Sequence, residues 1–175
     1  MFNSAHGPRG TVDDPGAVVI ATLGRLIEIA PAGFAIGLHI RYMTPAYMFE
    51  SYPADWLDVY ARDGLLMRDP TVRWAMHHHG AKRWAELEEQ DGAGVLDRAR
   101  EYGIVHGHTR SIHEGDDISF GGLARSDRDF TAAEIAEVGE LIQILHDVTD
   151  KRVTLGTEAS ARIRDMAVVM TERTG

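Results

Sequence analysis

The chain contains no cysteine, which rules out a disulfide framework and any thiolate zinc site. It has no run of eighteen apolar residues, so nothing in it reads as a membrane-spanning helix. The opening stretch MFNSAHGPRGTVDDPG lacks the apolar core of a secretory signal. Basic residues are scarce: 18 Lys and Arg stand against 27 Asp and Glu, for a net charge of −9. Nucleic-acid affinity comes largely from cations that neutralise phosphates, so direct DNA binding by this chain is not expected. There is no G-x-S-x-G nucleophile elbow and no phosphate-cradling glycine loop, and Ser111, Ser119 and Ser126 sit in no recognisable triad. Together these gaps lead away from an enzyme and towards a cytoplasmic protein.

What is present describes an ordinary soluble domain. The 175 residues are 44% hydrophobic and 26% charged, enough for one sizeable core. Residues 1–13 read as a flexible arm. Asp14-Pro15 is a cap-plus-proline helix start, followed by Val18, Val19, Thr22, Leu23, Leu26 and Ile27 at helical spacing. Phe34 to Arg41 alternates as a strand, Thr44-Pro45 turns the chain, and Ala46 to Glu50 can pair back. Pro53 opens a helix that Gly64 ends, and Asp69-Pro70 starts another that runs towards Gly80. Arg83 to Leu87 is open between a short strand and a turn.

Val95 to Tyr102 reads as a helix, and Ile104 to His113 with Ile118 to Arg125 as a hairpin turning at Glu114 to Asp117. Thr131-x-x-Glu134 is a capping box for a long helix with Ile135, Val138, Leu141, Ile142, Leu145 and Val148 on one face. Thr157 to Met170 can form one more helix. This order predicts an α+β sandwich around a mostly antiparallel sheet. The main domain is expected over 14–150, with 151–175 as a tail or extra helix.

All three tryptophans fall between Ser51 and Trp84. This stretch also holds Tyr52, Tyr60 and Asp69. Aromatic rings with one polar handle each, and a carboxylate among them, suit an apolar pocket that orients a small polar ligand. Each has a plainer role too. Asp69 is placed to cap the helix that Pro70 begins, and isolated tryptophans are usually core residues. A carboxylate has two oxygens, so capping and ligand contact can coexist.

The spacing Tyr52-Pro-Ala-Asp-Trp56-x3-Tyr60, then Asp69-Pro70-Thr71-Val72, Trp84, and Ala99 to Gly107 resembles the autoinducer-binding domain of LuxR-type quorum-sensing regulators. The specificity lies in the combination, which covers about Asp14 to Asp150. The resemblance implies an α/β/α sandwich similar to GAF and PAS folds, with a central five-stranded sheet enclosing an N-acyl-homoserine lactone. It further implies that Trp56 donates its indole N–H to the lactone carbonyl, that Asp69 accepts the ligand's amide N–H, and that Tyr52 donates to the acyl carbonyl. Tyr60 and Trp84 would wall the lactone ring, Thr71 and Val72 would lie beside Asp69, and Gly107 and Ala124 would complete the binding set. Neither metal nor cofactor is implied.

The chain departs from the family pattern in three places. Ala124 stands where members often carry Ser or Thr, and Leu57 where some carry a polar residue; both point to a plainer or differently substituted acyl chain. After Asp150 about 25 residues remain, with no recognisable helix-turn-helix recognition helix. The expectation is a stand-alone sensor, with a chain cut short of that domain as the alternative. It would form a homodimer, or a heterodimer with a full-length LuxR-type regulator, and would touch neither DNA nor membrane itself.

Two other readings compete. His106-x-His108 with Glu114 and Gly121 approximates the cupin metal pattern, which would make the chain a metal-dependent enzyme. The same fold could also sense a different small molecule. His77-His78-His79 reads as a solvated helix end, because consecutive helical residues point in different directions.

Overall fold

The computed structural model describes residues 14–149 and 154–173. The arm expected over residues 1–13 lies outside them. Asp14 accepts from Ala17 N at 3.2 Å and starts helix α1, Pro15–Ile29, whose Val19, Leu23 and Leu26 are fully buried. Strands β1 (Gly33–Ile40) and β2 (Tyr47–Glu50) follow, then helix α2 (Ala54–Arg62) and a 3-10 turn at Leu65–Arg68. Helix α3 (Pro70–His77) leads to strand β3 (Gly80–Arg83), a second 3-10 segment (Trp84–Gln90) and helix α4 (Val95–Arg100). The hairpin β4 (His106–Glu114) and β5 (Asp117–Arg125) comes next, then helices α5 (Ala132–Val148) and α6 (Thr157–Asp165) and strand β6 (Val169–Glu172).

The strands form one antiparallel sheet in the order β3-β4-β5-β1-β2-β6. Alternation sorts each strand between two layers. Phe34, Ile36, Leu38, Tyr47, Phe49 and Leu123 face the larger core, which α1 and α5 cover. The capping box forms as expected, with Glu134 N donating to Thr131 Oγ1 at 3.1 Å and Thr131 N to Glu134 Oε2 at 2.8 Å. On the opposite face a smaller core gathers Trp56, Val59, Leu65, Trp84, Val95, Leu96 and Ile104. Sheet with helices on both sides is the expected sandwich.

Its strand count differs: among the described residues the sheet has six strands, not five. Residues 83–87, left open between strand and turn, divide into the end of β3 and the start of a 3-10 segment. The helix expected to run to Met170 stops at Asp165. Ala167 turns the chain with a left-handed φ of 59°, and Val168 and Met170 then reach the core at strand spacing. β6 lines up with β2 from Val169 opposite Glu50 to Glu172 opposite Tyr47. Pairing along that edge supplies hydrogen bonds that a propensity argument over this stretch does not count. The β1–β2 turn also lies earlier than Thr44-Pro45, with Tyr42 and Met43 at φ 50° and 64° between Arg41 and Thr44.

Candidate functional site

A cavity of about 180 Å³ lies between the sheet and the layer made by α2, α3, α4 and the 3-10 turns. It exists because the sheet is bare beneath it: Ala35, Gly37 and Gly122 form the floor where larger side chains would fill the space. Tyr52, Trp56, Tyr60 and Trp84 border it, as do Asp69, Thr71 and Val72. Aliphatic walls come from Leu57, Leu66, Leu96 and Ile104, and from Ile40, Met43 and Met48 near the β1–β2 turn.

The polar groups are few and almost all engaged. Asp69 caps α3, its Oδ1 accepting from Thr71 N at 2.8 Å and Thr71 Oγ1 at 2.7 Å. Its Oδ2 accepts from the Tyr60 hydroxyl at 2.8 Å. Burial still holds the Asp69 carboxyl above the usual carboxylate range, against the pull of those bonds. Burial, with the Asp69 charge beside it, pushes the Tyr60 phenol far up. The Tyr52 phenol is raised by the same two causes, and its hydroxyl donates to Gly122 O at 2.9 Å. The Trp84 indole donates to Thr109 Oγ1 at 3.0 Å.

Trp56 stands apart. It is 4% exposed, packs edge-on against Tyr60 at 5.8 Å and tilts against Tyr102 at 5.4 Å. Among the described residues its indole N–H has no acceptor. That N–H is not sealed off but opens on the cavity, where a ligand carbonyl can accept its hydrogen.

Of the binding residues anticipated from sequence, Tyr52, Trp56, Tyr60, Asp69, Thr71, Val72 and Trp84 come together around the cavity. Gly107 and Ala124 do not border it. They face each other across the β4–β5 ladder. Gly107 lies flat against Trp84, where an added Cβ would sit 2.1 Å from the ring, so its small size seats the indole. On β5 the cavity residue beside the Tyr52 hydroxyl is Gly122, two positions before Ala124, and the nearby hydroxyl belongs to its ladder partner Thr109.

Sequence reading passed over Glu50, Thr109 and Gly122. Thr109, Gly122, Ala35 and Glu50 form one row across β4, β5, β1 and β2. Strand spacing puts Glu50 about 14 Å from Thr109, at the other side of the floor. Burial raises the Glu50 carboxyl above its ordinary range, and among the described residues it has no hydrogen-bonding partner. The signal was available: alternation with inward Tyr47 and Phe49 assigns Met48 and Glu50 to the cavity face.

The cupin-like alternative fails on position. His106 and His108 share the face away from the cavity, and Glu114 lies six residues beyond His108, about 20 Å along the strand. His108 is fully buried edge-on to Phe130, with both ring nitrogens unpartnered among the described residues, and burial lowers its pKa to about 4. His77 and His78 close the end of α3 instead, each placing Nδ1 on the carbonyl four residues back, at 2.8 and 2.9 Å.

A domain that holds an apolar cavity under a sheet, with polar groups gathered at one part of it, is built to bind a small molecule. Residues 34–153 match the family described as the autoinducer binding domain, and the chain belongs to that family. It is 30% identical over 122 residues to the transcriptional activator protein SolR of Ralstonia nicotianae, covering 68% of this chain and 51% of SolR. It is 33% identical over 142 residues to SolR of Ralstonia solanacearum, covering 78% of this chain and 60% of that protein. The chain thus spans between half and two thirds of these relatives. Among solved structures, Escherichia coli SdiA superposes with a TM-score of 0.60 at 16% identity, covering 89% of this chain and 64% of SdiA. CepR2 of Burkholderia cenocepacia, an N-acylhomoserine-lactone-dependent LuxR-family factor, gives 0.52 at 14% identity, covering 79% of this chain and 95% of that one. At such identities these structures establish a shared fold.

Among the described residues no helix is long and apolar enough to cross a membrane.

Proposed function

We propose that this chain is the sensory part of a quorum-sensing receptor, and that it binds an N-acyl-homoserine lactone in the cavity under α2 and α3. The observation that carries the reading is the Trp56 N–H, which has no protein acceptor among the described residues and sits among Tyr52, Tyr60 and Asp69 in an otherwise apolar space. An acylated lactone presents two carbonyls and one amide N–H that lose water on entry. Trp56 would donate to the ring carbonyl. The Asp69 Oδ2 has a free lone pair for the amide. The Tyr52 hydroxyl would turn from Gly122 O to the acyl carbonyl. The tail would run over Gly37 towards Met48 and Met43.

Regulation of transcription is part of the same proposal. With 18 basic against 27 acidic residues the chain is poorly suited to neutralise phosphates, so its influence on DNA would be relayed by a polypeptide it is joined to or paired with. That partner would be a second copy or a full-length regulator of the same family, in the cytoplasm. The test is calorimetric titration with lactones of graded chain length. Binding that is abolished in Trp56→Phe and retained in the surface variant Arg62→Ala supports the assignment. Full lactone affinity in Trp56→Phe would overturn it.

Glu50 favours a second reading. SdiA has been solved with octanoyl-rac-glycerol, whose head group donates hydroxyls where a lactone ring only accepts. A second carboxyl at the floor, free of partners among the described residues, suits such donors. An acylglycerol that outcompetes the lactone, and loses that advantage in Glu50→Leu, would establish this variant of the ligand.

A further inference from the structure

On the sheet face away from the cavity, two buried histidines meet the turn end of the β4–β5 hairpin. His39 and His146 are each 4% exposed, and their rings lie 4.6 Å apart. His39 Nδ1 is 2.8 Å from Asp117 Oδ2, while its Nε2 is held by Thr149 Oγ1 at 3.2 Å. His146 is arranged alike, with Nε2 3.2 Å from Glu114 Oε2 and Nδ1 held by the buried Ser119 Oγ at 2.7 Å. Glu114 and Asp117 are themselves paired in the hairpin register. Each imidazole therefore turns one nitrogen to a carboxylate and fixes the other on a hydroxyl, as metal-ligating histidines are commonly oriented.

We infer that His39, Asp117 and His146 form a binding site for a zinc-class divalent ion. One donor atom from each of the three lies within 4.8 Å of the others, close enough to share an ion. Among the described residues the buried Asp117 Oδ1 has no partner, so the carboxylate has coordinating capacity left over. His39 adopts a left-handed φ of 54° where the β1 register shifts between Gly37 and Ile40, a costly conformation that aims the ring at the hairpin. Imidazole with carboxylate and no thiolate selects a first-row divalent ion over magnesium or calcium. The half-buried Asp117 and exposed Glu114 mark the entry path from solvent. The site shares β1 with the cavity floor at Gly37 and Ile40.

The test is uptake of zinc and cobalt by the full chain after chelator treatment, in a variant with His77→Asn and His78→Asn to remove exposed imidazoles. One ion per chain is expected, with the intense visible bands of low-coordinate cobalt. His146→Gln and, separately, Asp117→Asn should each weaken binding at least tenfold while circular dichroism stays native. Asp117→Asn keeps a hydrogen-bond acceptor on a partly exposed side chain, so it remains informative should His146→Gln fail to fold. No stoichiometric uptake, or uptake unchanged in Asp117→Asn, would show a hydrogen-bonded network alone and overturn the inference.

Discussion

Asp69 divides its two oxygens between two tasks. Oδ1 holds the first turn of α3 through Thr71, and Oδ2 holds the Tyr60 hydroxyl at the cavity wall. Asp69→Ala removes both, costing about 1 kcal/mol for the cap alone, with more from the stranded phenol. Asp69→Asn keeps an oxygen for the cap but can present an amide N–H₂ where an acceptor is needed. Its lactone affinity should fall tenfold or more, equivalent to about 1.4 kcal/mol, while the fold survives. The pH dependence separates the two variants from wild type. Because the folded carboxyl is raised, the native state holds its proton more tightly than the unfolded chain. Asp69 therefore makes stability decline as pH rises from the unfolded value, about 3.9, through the folded one. Denaturant melts at pH 4 and pH 7 should show that decline reduced in Asp69→Asn.

At the scale of elements, the β1–β2 turn carries a cost that sequence preference would not choose. Two-residue turns with both φ positive favour Asn-Gly, and here the positions hold Tyr42 and Met43. A left-handed side chain of this kind costs about 1–2 kcal/mol. Tyr42 is fully exposed, whereas Met43 borders the cavity. Tyr42→Asn should raise the unfolding free energy by up to about 1 kcal/mol and leave ligand affinity alone. Met43→Gly should also stabilise the turn, yet lower affinity for long-chain ligands by opening the wall. Calorimetry and thermal melts on the two variants read the separation directly. The strain at Met43 is then the cost of placing an apolar side chain at the mouth.

For the molecule as a whole, acid should act first through His108. The ring is buried between β4 and Phe130 with no partner for either nitrogen among the described residues. Its folded pKa of about 4 lies below the ordinary value of 6.5, so protonation favours the unfolded chain. The stability this implies is complete above pH 6.5 and is lost as pH falls towards 4, to the extent of about 3 kcal/mol. His108→Phe should flatten that acid limb in denaturant melts taken between pH 4 and 7. The two-layer design makes this consequential, since His108 lies in the layer under α5 that anchors the sheet above which the ligand sits. Loss of that layer would open the cavity floor from behind.

Local chemistry determined much of this protein. Asp14-Pro15, Asp69-Pro70 and the Thr131–Glu134 box cap the helices that their residues announce, because capping acts within one turn. Strand alternation and the aromatic spacing from Tyr52 to Trp84 led to the right fold family and to one wall of the cavity. Contacts between distant segments were decided only by tertiary structure. β6 forms because β2 offers a free edge, not because Val169 to Glu172 prefer to be extended. The cavity floor depends on Ala35, Gly122 and Glu50 lying in one row, which follows from pairing across three strands. Gly107 and Ala124 were assigned to the ligand, but the hairpin register sets them beneath Trp84 and brings Gly122 forward instead. The meeting of His39 with His146 and Asp117 spans more than a hundred residues of chain. Spacing in a sequence reports neighbours along an element; it carries no record of which elements are laid side by side.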